Sequence, residues 1–139
     1  MILYLAHPHA EQEYGKHIQE LLERDGFKVI NPFDRPEQDR YNKKVTNRDP
    51  FSLGDAEELV EWDLDNIYDA DAIVALYVGN GPFIGMSMEV SYATLHMQLP
   101  VVTLYLYKNI GVGVIHPWLV YLTEVVTSEE DLLKSVRLL

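Results

Sequence analysis

Asp71-Ala-Ile-Val-Ala-Leu-Tyr-Val78, then Gly79-Asn-Gly-Pro-Phe-Ile-Gly85, then Met86-Ser-Met-Glu-Val-Ser-Tyr-Ala93: the reading of this stretch decides the fold. Its first part is a short β-branched and apolar run, the pattern of a strand buried on both faces. Three glycines and a proline in the next seven residues exclude regular structure and let backbone approach a ligand closely. The last part regains helical spacing, with Met88, Tyr92 and Leu95 on one stripe. This places Glu89 in the first turn of a helix, where exposed N–H groups favour an ionised carboxylate. Such a carboxylate at the mouth of a sheet is a candidate nucleophile, and equally an ordinary helix-start acid.

Working outward, Ile2–Ala6 reads as a first strand broken by His7-Pro8-His9. Tyr14, Ile18, Leu21 and Leu22 follow helical spacing over Glu11–Arg24, with Gly26 as the stop. Phe27–Asn31 reads as a second strand. Phe33–Gly54 is polar, contains proline and has no period, so it is expected to be a long, lid-like loop at about 33–54. It carries Arg35, Arg40, Lys43, Lys44 and Arg48, five of the chain's 11 basic residues. That concentration fits a lid meeting an anionic ligand, or a solvated loop of mixed charge. Asp55 reads as an N-cap. The helix after it places Ala56, Leu59, Val60, Ile67 and Ala70 on one stripe with Asp63 in its midst. A carboxylate on a core-facing stripe must be paired, protonated or facing a cavity. Asp63 is therefore a second candidate, with a structural salt bridge as the alternative.

Pro100–Tyr107 reads as a fourth strand, Lys108–Pro117 as a connection and Leu122–Val126 as a short fifth strand. Ser128 and Asp131 resemble a capping box opening a last helix. Strands alternating with helices predict an α/β fold, a doubly wound, flavodoxin-like and Rossmann-like parallel sheet of five strands. The expected order is 2-1-3-4-5, with the switch point between strands one and three. The loops His7–Ala10 and Gly79–Glu89 meet there. They make His7, Pro8, His9, Gly79, Phe83, Gly85 and Ser87 candidate substrate contacts; the topology brings Tyr4, His7 and Glu89 together, and Asp63 precedes strand three on a helix able to pack nearby.

At 139 residues and 47% hydrophobic, the chain suits one domain, 1–139, with a substantial core. Its net charge of −11 argues against nucleic-acid polymers and membrane surfaces as partners. It contains no cysteine, which removes disulfides and thiolate metal sites. With no basic, cleavable leader and no long apolar run, a soluble cytoplasmic protein is expected. His7-Pro8-His9 lacks a nearby carboxylate or cysteine to complete a metal set, so no metal is expected. The Gly79–Gly85 run is one residue too long for a dinucleotide fingerprint. Gly85-Met-Ser87-Met-Glu89 lacks the second glycine of a nucleophile elbow, which makes Ser87 an N-cap rather than a nucleophile.

Tyr4-Leu5-Ala6-x-Pro8, Asp63-x7-Asp71 and Gly85-x3-Glu89-x2-Tyr92-Ala93, in that order, resemble the nucleoside 2-deoxyribosyltransferase family from Met1 to about Tyr107. That family includes 2′-deoxynucleoside 5′-monophosphate N-glycosidases, which pass the sugar to water. The resemblance implies that Glu89 attacks the anomeric carbon, that Asp63 protonates the departing base, and that Tyr4 holds Glu89 in line. It implies no cofactor, a deoxynucleoside or deoxynucleotide substrate, and a homo-oligomer in which Asn109–Trp118 completes a neighbour's pocket. Two positions depart from the family. Phe83 stands where transferases often carry a base-binding Asp and the hydrolases a phosphate-binding Ser. His7-Pro8-His9-Ala10 replaces the Gly-Ser-x-Arg-like phosphate cradle of the hydrolases. The implied activity is deoxyribosyl transfer between bases. The alternatives are hydrolysis of deoxynucleoside 5′-monophosphates, or a nucleotide-binding module without turnover.

Overall fold

The computed structural model describes residues 1–107 and 115–139. Its five strands are β1 (Ile2–Ala6), β2 (Lys28–Ile30), β3 (Ala72–Gly79), β4 (Val101–Tyr107) and β5 (Glu124–Val126). They form one sheet in the order β2-β1-β3-β4-β5. Every pairing is parallel, with Tyr4 of β1 in register with Ile30 and Ile73. The expected fold class and strand order are both found.

Helices cover both faces, as a parallel sheet requires. Leu3, Leu5, Val74, Leu76 and Leu104 point to one side. There they pack on Ile18 and Leu22 of α1 (Gln12–Arg24) and on Leu132 and Val136 of α6 (Glu129–Arg137). The alternate residues Tyr4, Ala6, Ile73, Ala75 and Tyr77 point to the other side. They meet Ile67 of α3 (Leu53–Tyr68) and Met86 and Val90 of α4 (Ile84–Ser91). The period of two along β1 thus sends Tyr4 to the α3–α4 side. Ser128 Oγ accepts from the Asp131 N–H at 3.1 Å and opens α6 as its capping pattern predicts. Among the described residues, no helix is long and apolar enough to cross a membrane.

Several local expectations are corrected. The polar 33–54 segment is not a continuous loop, because α2 (Gln38–Asn47) occupies its middle. That helix ends at Arg48 in the left-handed region, φ 55°. The cap of α3 is Ser52, whose Oγ accepts from the Asp55 N–H at 3.1 Å, so Asp55 belongs to the first turn. On α3, Val60 faces solvent rather than the core. In α4 and the helical turn after it, Tyr92–His96, the sheet-facing residues are Met86, Val90 and Ala93, whereas Met88 and Leu95 face outward. Ser87 lies inside α4 and is not its cap. Glu89 is the sixth residue of α4, so it lies beyond the first turn and its free N–H groups. A short helix, α5 (Pro117–Leu122), precedes β5, which begins at Glu124 rather than Leu122. Of the Lys108–Pro117 connection and the Asn109–Trp118 segment, residues 108–114 lie outside the described residues.

Candidate active site

Residues three and four apart on a helix share a face. Met86, Val90 and Ala93 anchor α4 to the sheet, and Glu89, three residues after Met86, lies at the edge of that stripe. Asp63 sits four residues before the buried Ile67 and so points to the same side of the sheet from α3. Both carboxylates border a cavity of about 270 Å³. His7, Pro8 and His9 of the β1–α1 loop, Phe33, Arg35 and Gln38 after β2, and Gly85 of α4 also line it. Tyr4 is fully buried, with its hydroxyl close enough for both Glu89 and Asp63 to act on it.

Asp63 (6% exposed) is ion-paired with Arg35 (7% exposed), which reaches it from the segment ahead of α2. The Arg35 guanidinium lies 5.4 Å from the Trp62 ring centroid and 5.6 Å from that of Phe33. Arg35 Nη1 donates to Gln38 Oε1 at 2.6 Å, and Gln38 Nε2 donates to Asn42 Oδ1 at 2.7 Å. His9 Nε2 reaches the same Asn42 oxygen at 2.9 Å, and Gln12 Nε2 at 3.1 Å. A continuous chain of bonds therefore ties Asp63, α2 and the β1–α1 loop together. In contrast, Tyr4 Oη, Arg35 Nε and Glu89 Oε2 are buried and make no protein hydrogen bond of regular geometry. Buried polar atoms are normally satisfied. These three atoms cluster around the two carboxylates at the cavity, with the Tyr4 hydroxyl near both acids.

The electrostatics are those of two acids that cannot both ionise freely. Burial, followed by the nearby Asp63, pushes the Glu89 carboxyl up to about 8. Burial also raises Asp63, opposed by the charge and hydrogen bond of Arg35. Burial, Glu89 and Asp63 together push the Tyr4 hydroxyl well above its ordinary range. Both carboxyls are thus pushed toward the protonated form, and the Arg35 guanidinium beside Asp63 opposes that shift. This reverses the expectation that a helix start would keep Glu89 ionised.

His7 is buried, and burial lowers its pKa, so it is uncharged at neutral pH. Its Nε2 donates to Asn31 Oδ1 at 2.9 Å, an oxygen that also accepts from the Phe33 N–H at 3.0 Å. Its ring lies against Gly15 of α1, where an added Cβ would come within 2.6 Å of it. His7 thus joins the ends of β1 and β2 beneath the cavity.

The structure brings Tyr4, Asp63, Glu89, His7, Pro8, His9 and Gly85 to one place. It does not bring Gly79, Phe83 or Ser87 there. Gly79 has φ +73° and packs on the Glu11 side chain. Phe83 and Ser87 line a separate groove of about 480 Å³ on the far side of α4, with Tyr77, Tyr105 and Trp118. Ser87 Oγ is 2.9 Å from Tyr77 Oη in that groove. Phe33 and Gln38 were absent from the sequence candidates, and Arg35 was named there only among the basic residues of a lid. The available signal was position: Pro32-Phe-Asp-Arg-Pro36 follows β2, the neighbour of β1 at the switch point, and a buried Asp63 needs a cation.

Three solved structures share this architecture. A 2-deoxyribosyltransferase from Bacillus psychrosaccharolyticus aligns over 95% of this chain and 90% of its own, with a TM-score of 0.66 at 19% identity. A conserved protein from Enterococcus faecalis aligns over 99% and 97%, with a TM-score of 0.72 at 21% identity. The chain shares its fold with both. A CMP N-glycosidase from Clostridium botulinum shares the fold over 99% of both chains, with a TM-score of 0.60 at 15% identity. No protein-family model and no curated protein sequence matches this chain. Within this fold the cavity lies at the carboxyl ends of β1 and β3, where open parallel sheets bind their ligands.

Proposed function

We propose that this chain is an N-deoxyribosyltransferase-like enzyme acting on 2′-deoxyribonucleosides, without metal or cofactor. The observation that carries the reading is the pair of buried carboxylates, Glu89 and Asp63, facing one cavity across the Tyr4 hydroxyl. Glu89, once ionised, attacks C1′ of the deoxyribose and forms a covalent glycosyl-enzyme. Asp63 protonates the departing base and later deprotonates the incoming one. Tyr4 holds Glu89 in line. His7, Pro8, His9 and Gly85 border the space for the nucleoside.

Charge favours a neutral nucleoside over a 5′-monophosphate. Arg35 is committed to Asp63, Arg40 to Asp55 and Glu58, and Lys44 to Asp55. These cations of the 33–54 segment therefore bring little positive potential to the cavity. The second reading, hydrolysis of deoxynucleoside 5′-monophosphates, draws support from the N-glycosidase neighbour and from Phe83 in place of a base-binding Asp. The two readings separate by free-base release from deoxynucleosides and their 5′-monophosphates, with and without an acceptor base. Release that requires the acceptor supports transfer. Release from monophosphates in water alone supports hydrolysis. Binding without product supports a nucleotide-binding module.

We also propose that the chain is a homo-oligomer with shared active sites. The outer face of α4 and the turn after it expose Ile84 (72%), Met88 (68%) and Leu95 (60%), a helical stripe of apolar side chains. Trp118 and Tyr121 of α5 are exposed as well. Contiguous apolar surface of this kind marks interaction sites. Sedimentation velocity is expected to give an assembly of two or more chains, and Met88→Glu is expected to shift it toward monomer with an unchanged circular dichroism spectrum.

A further inference from the structure

A surface helix ordinarily turns an apolar stripe to the core. The α2 helix does not: its buried positions are Gln38 and Tyr41, and Gln38 and Asn42, four residues apart, share one face. What this face offers is hydrogen bonds. Asn42 Oδ1 accepts from Gln38 Nε2 of its own helix at 2.7 Å, from His9 Nε2 of the β1–α1 loop at 2.9 Å and from Gln12 Nε2 of α1 at 3.1 Å. Gln12 Nε2 also donates to the His9 carbonyl at 3.0 Å, which closes a ring through the loop. In the other direction, Gln38 Oε1 accepts from Arg35 Nη1 at 2.6 Å, and Arg35 Nη2 pairs with Asp63. Both ends of the Gln38 amide are thus used. Gln38 and Asp63 hold the two outer nitrogens of a guanidinium whose Nε has no partner.

We propose that Asn42 is a positioning residue for the acid side of the reaction: through Gln38 and Arg35 it fixes the carboxylate of Asp63, and through His9 and Gln12 it fixes the loop that walls the same cavity. The inference rests on the proposed role of Asp63 as acid. A buried network with its bonds made rigidifies its members in one arrangement. Packing alone would be met by leucine, a better helix former than asparagine. The network ends at Asp63, since Glu89 Oε2 and Tyr4 Oη take no part in it. Asn42 therefore serves the departure of the base and not the attack on C1′. When the C1′–N bond breaks, its electron pair stays on the base nitrogen, and Asp63 supplies the proton that neutralises it. A guanine methylated at N7 carries its positive charge beforehand and leaves neutral without that proton.

The two leaving groups separate acid positioning from any general loss. Base release is compared for 2′-deoxyguanosine and 7-methyl-2′-deoxyguanosine, each with an acceptor base, in wild type, Asn42→Leu and Gln38→Met. Misplacing a reacting group by about 1 Å costs up to about 10²-fold. Release from 2′-deoxyguanosine is expected to fall by about 10–10²-fold in both variants, with release from the methylated substrate nearly unchanged. Equal loss on both substrates is what a merely structural Asn42 would give, and it overturns the proposal. A second measurement needs no turnover. In a Glu89→Gln background Asp63 is the one acid of the pair that titrates, and its side-chain carboxyl is followed by ¹³C NMR with and without Asn42→Leu. An opposite charge in contact lowers a carboxyl by about 1–3 units. Loosening of Arg35 is therefore expected to raise the Asp63 midpoint, and an unchanged midpoint overturns the proposal. If Asn42→Leu does not fold, Gln38→Met is read in its place. If wild type releases neither base, the proposed activity fails, and the titration still decides whether Asn42 fixes Asp63.

Discussion

Glu89→Gln is expected to abolish sugar transfer and, at alkaline pH, to make the protein more stable. Removal of the covalent nucleophile of a serine protease costs about 10⁶-fold, so a loss of at least about 10³-fold in base release is the minimum consistent with the proposed role. The stability gain follows from linkage. The Glu89 carboxyl is at about 8 in the folded protein against an ordinary 4.5. Its folded form therefore holds the proton more tightly than the unfolded chain does. The stability this contributes is complete below pH 4.5 and declines as pH rises, until it is gone above about 8. Each unit of difference is worth about 1.4 kcal/mol. Glutamine keeps the shape and has no charge to bury. Thermal unfolding at pH 5 and at pH 8.5 should show the two proteins nearly alike at the first and the variant several degrees higher at the second.

Asp63→Ala is expected to do the opposite to stability. It removes the partner of Arg35, whose guanidinium is buried. Breaking a buried pair from one side costs about 3–5 kcal/mol because the other charge is left uncompensated. Urea unfolding should register that loss, and the acid function should fall by about 10²–10⁴-fold. The double variant Arg35→Met/Asp63→Ala leaves no buried unpaired charge and is expected to recover most of the stability and none of the activity. If the single and double variants unfold alike, the pair is not the buried contact described here. The contrast between Glu89 and Asp63 separates the two acids by physics alone: one is buried without compensation, and the other is buried with it.

The sheet and the meeting of Tyr4, His7 and Glu89 were legible because they follow from strand order. A 2-1-3-4-5 sheet brings the ends of β1 and β3 together whatever the loops contain, and the buried acid on α3 announced itself by its cost. What was not legible was local. Gln38–Asn47 is polar along almost its whole length, and its buried positions are Gln38 and Tyr41, so no apolar period advertises a helix. In α4 both faces carry apolar residues, and the stripe through Met88 and Leu95 proved to be the outward one. Ser87 is two residues from Glu89, about 200° around a helix at 100° per residue, which sends it to the other side. The Arg35–Asp63 pair joins residues 28 apart through a segment that reads as loop. Only the three-dimensional path of the chain after β2 reveals it.

The central claim is that Glu89 forms a covalent glycosyl-enzyme, and stereochemistry tests it most directly. Proton NMR of the first product formed from a β-2′-deoxynucleoside, with an acceptor base present and methanol as a second acceptor, reports the configuration at C1′. Double displacement through Glu89 predicts retention, a β-configured nucleoside and methyl glycoside. An α-configured first product would mean single displacement, with the carboxylates acting only as acid and base, and would contradict the account.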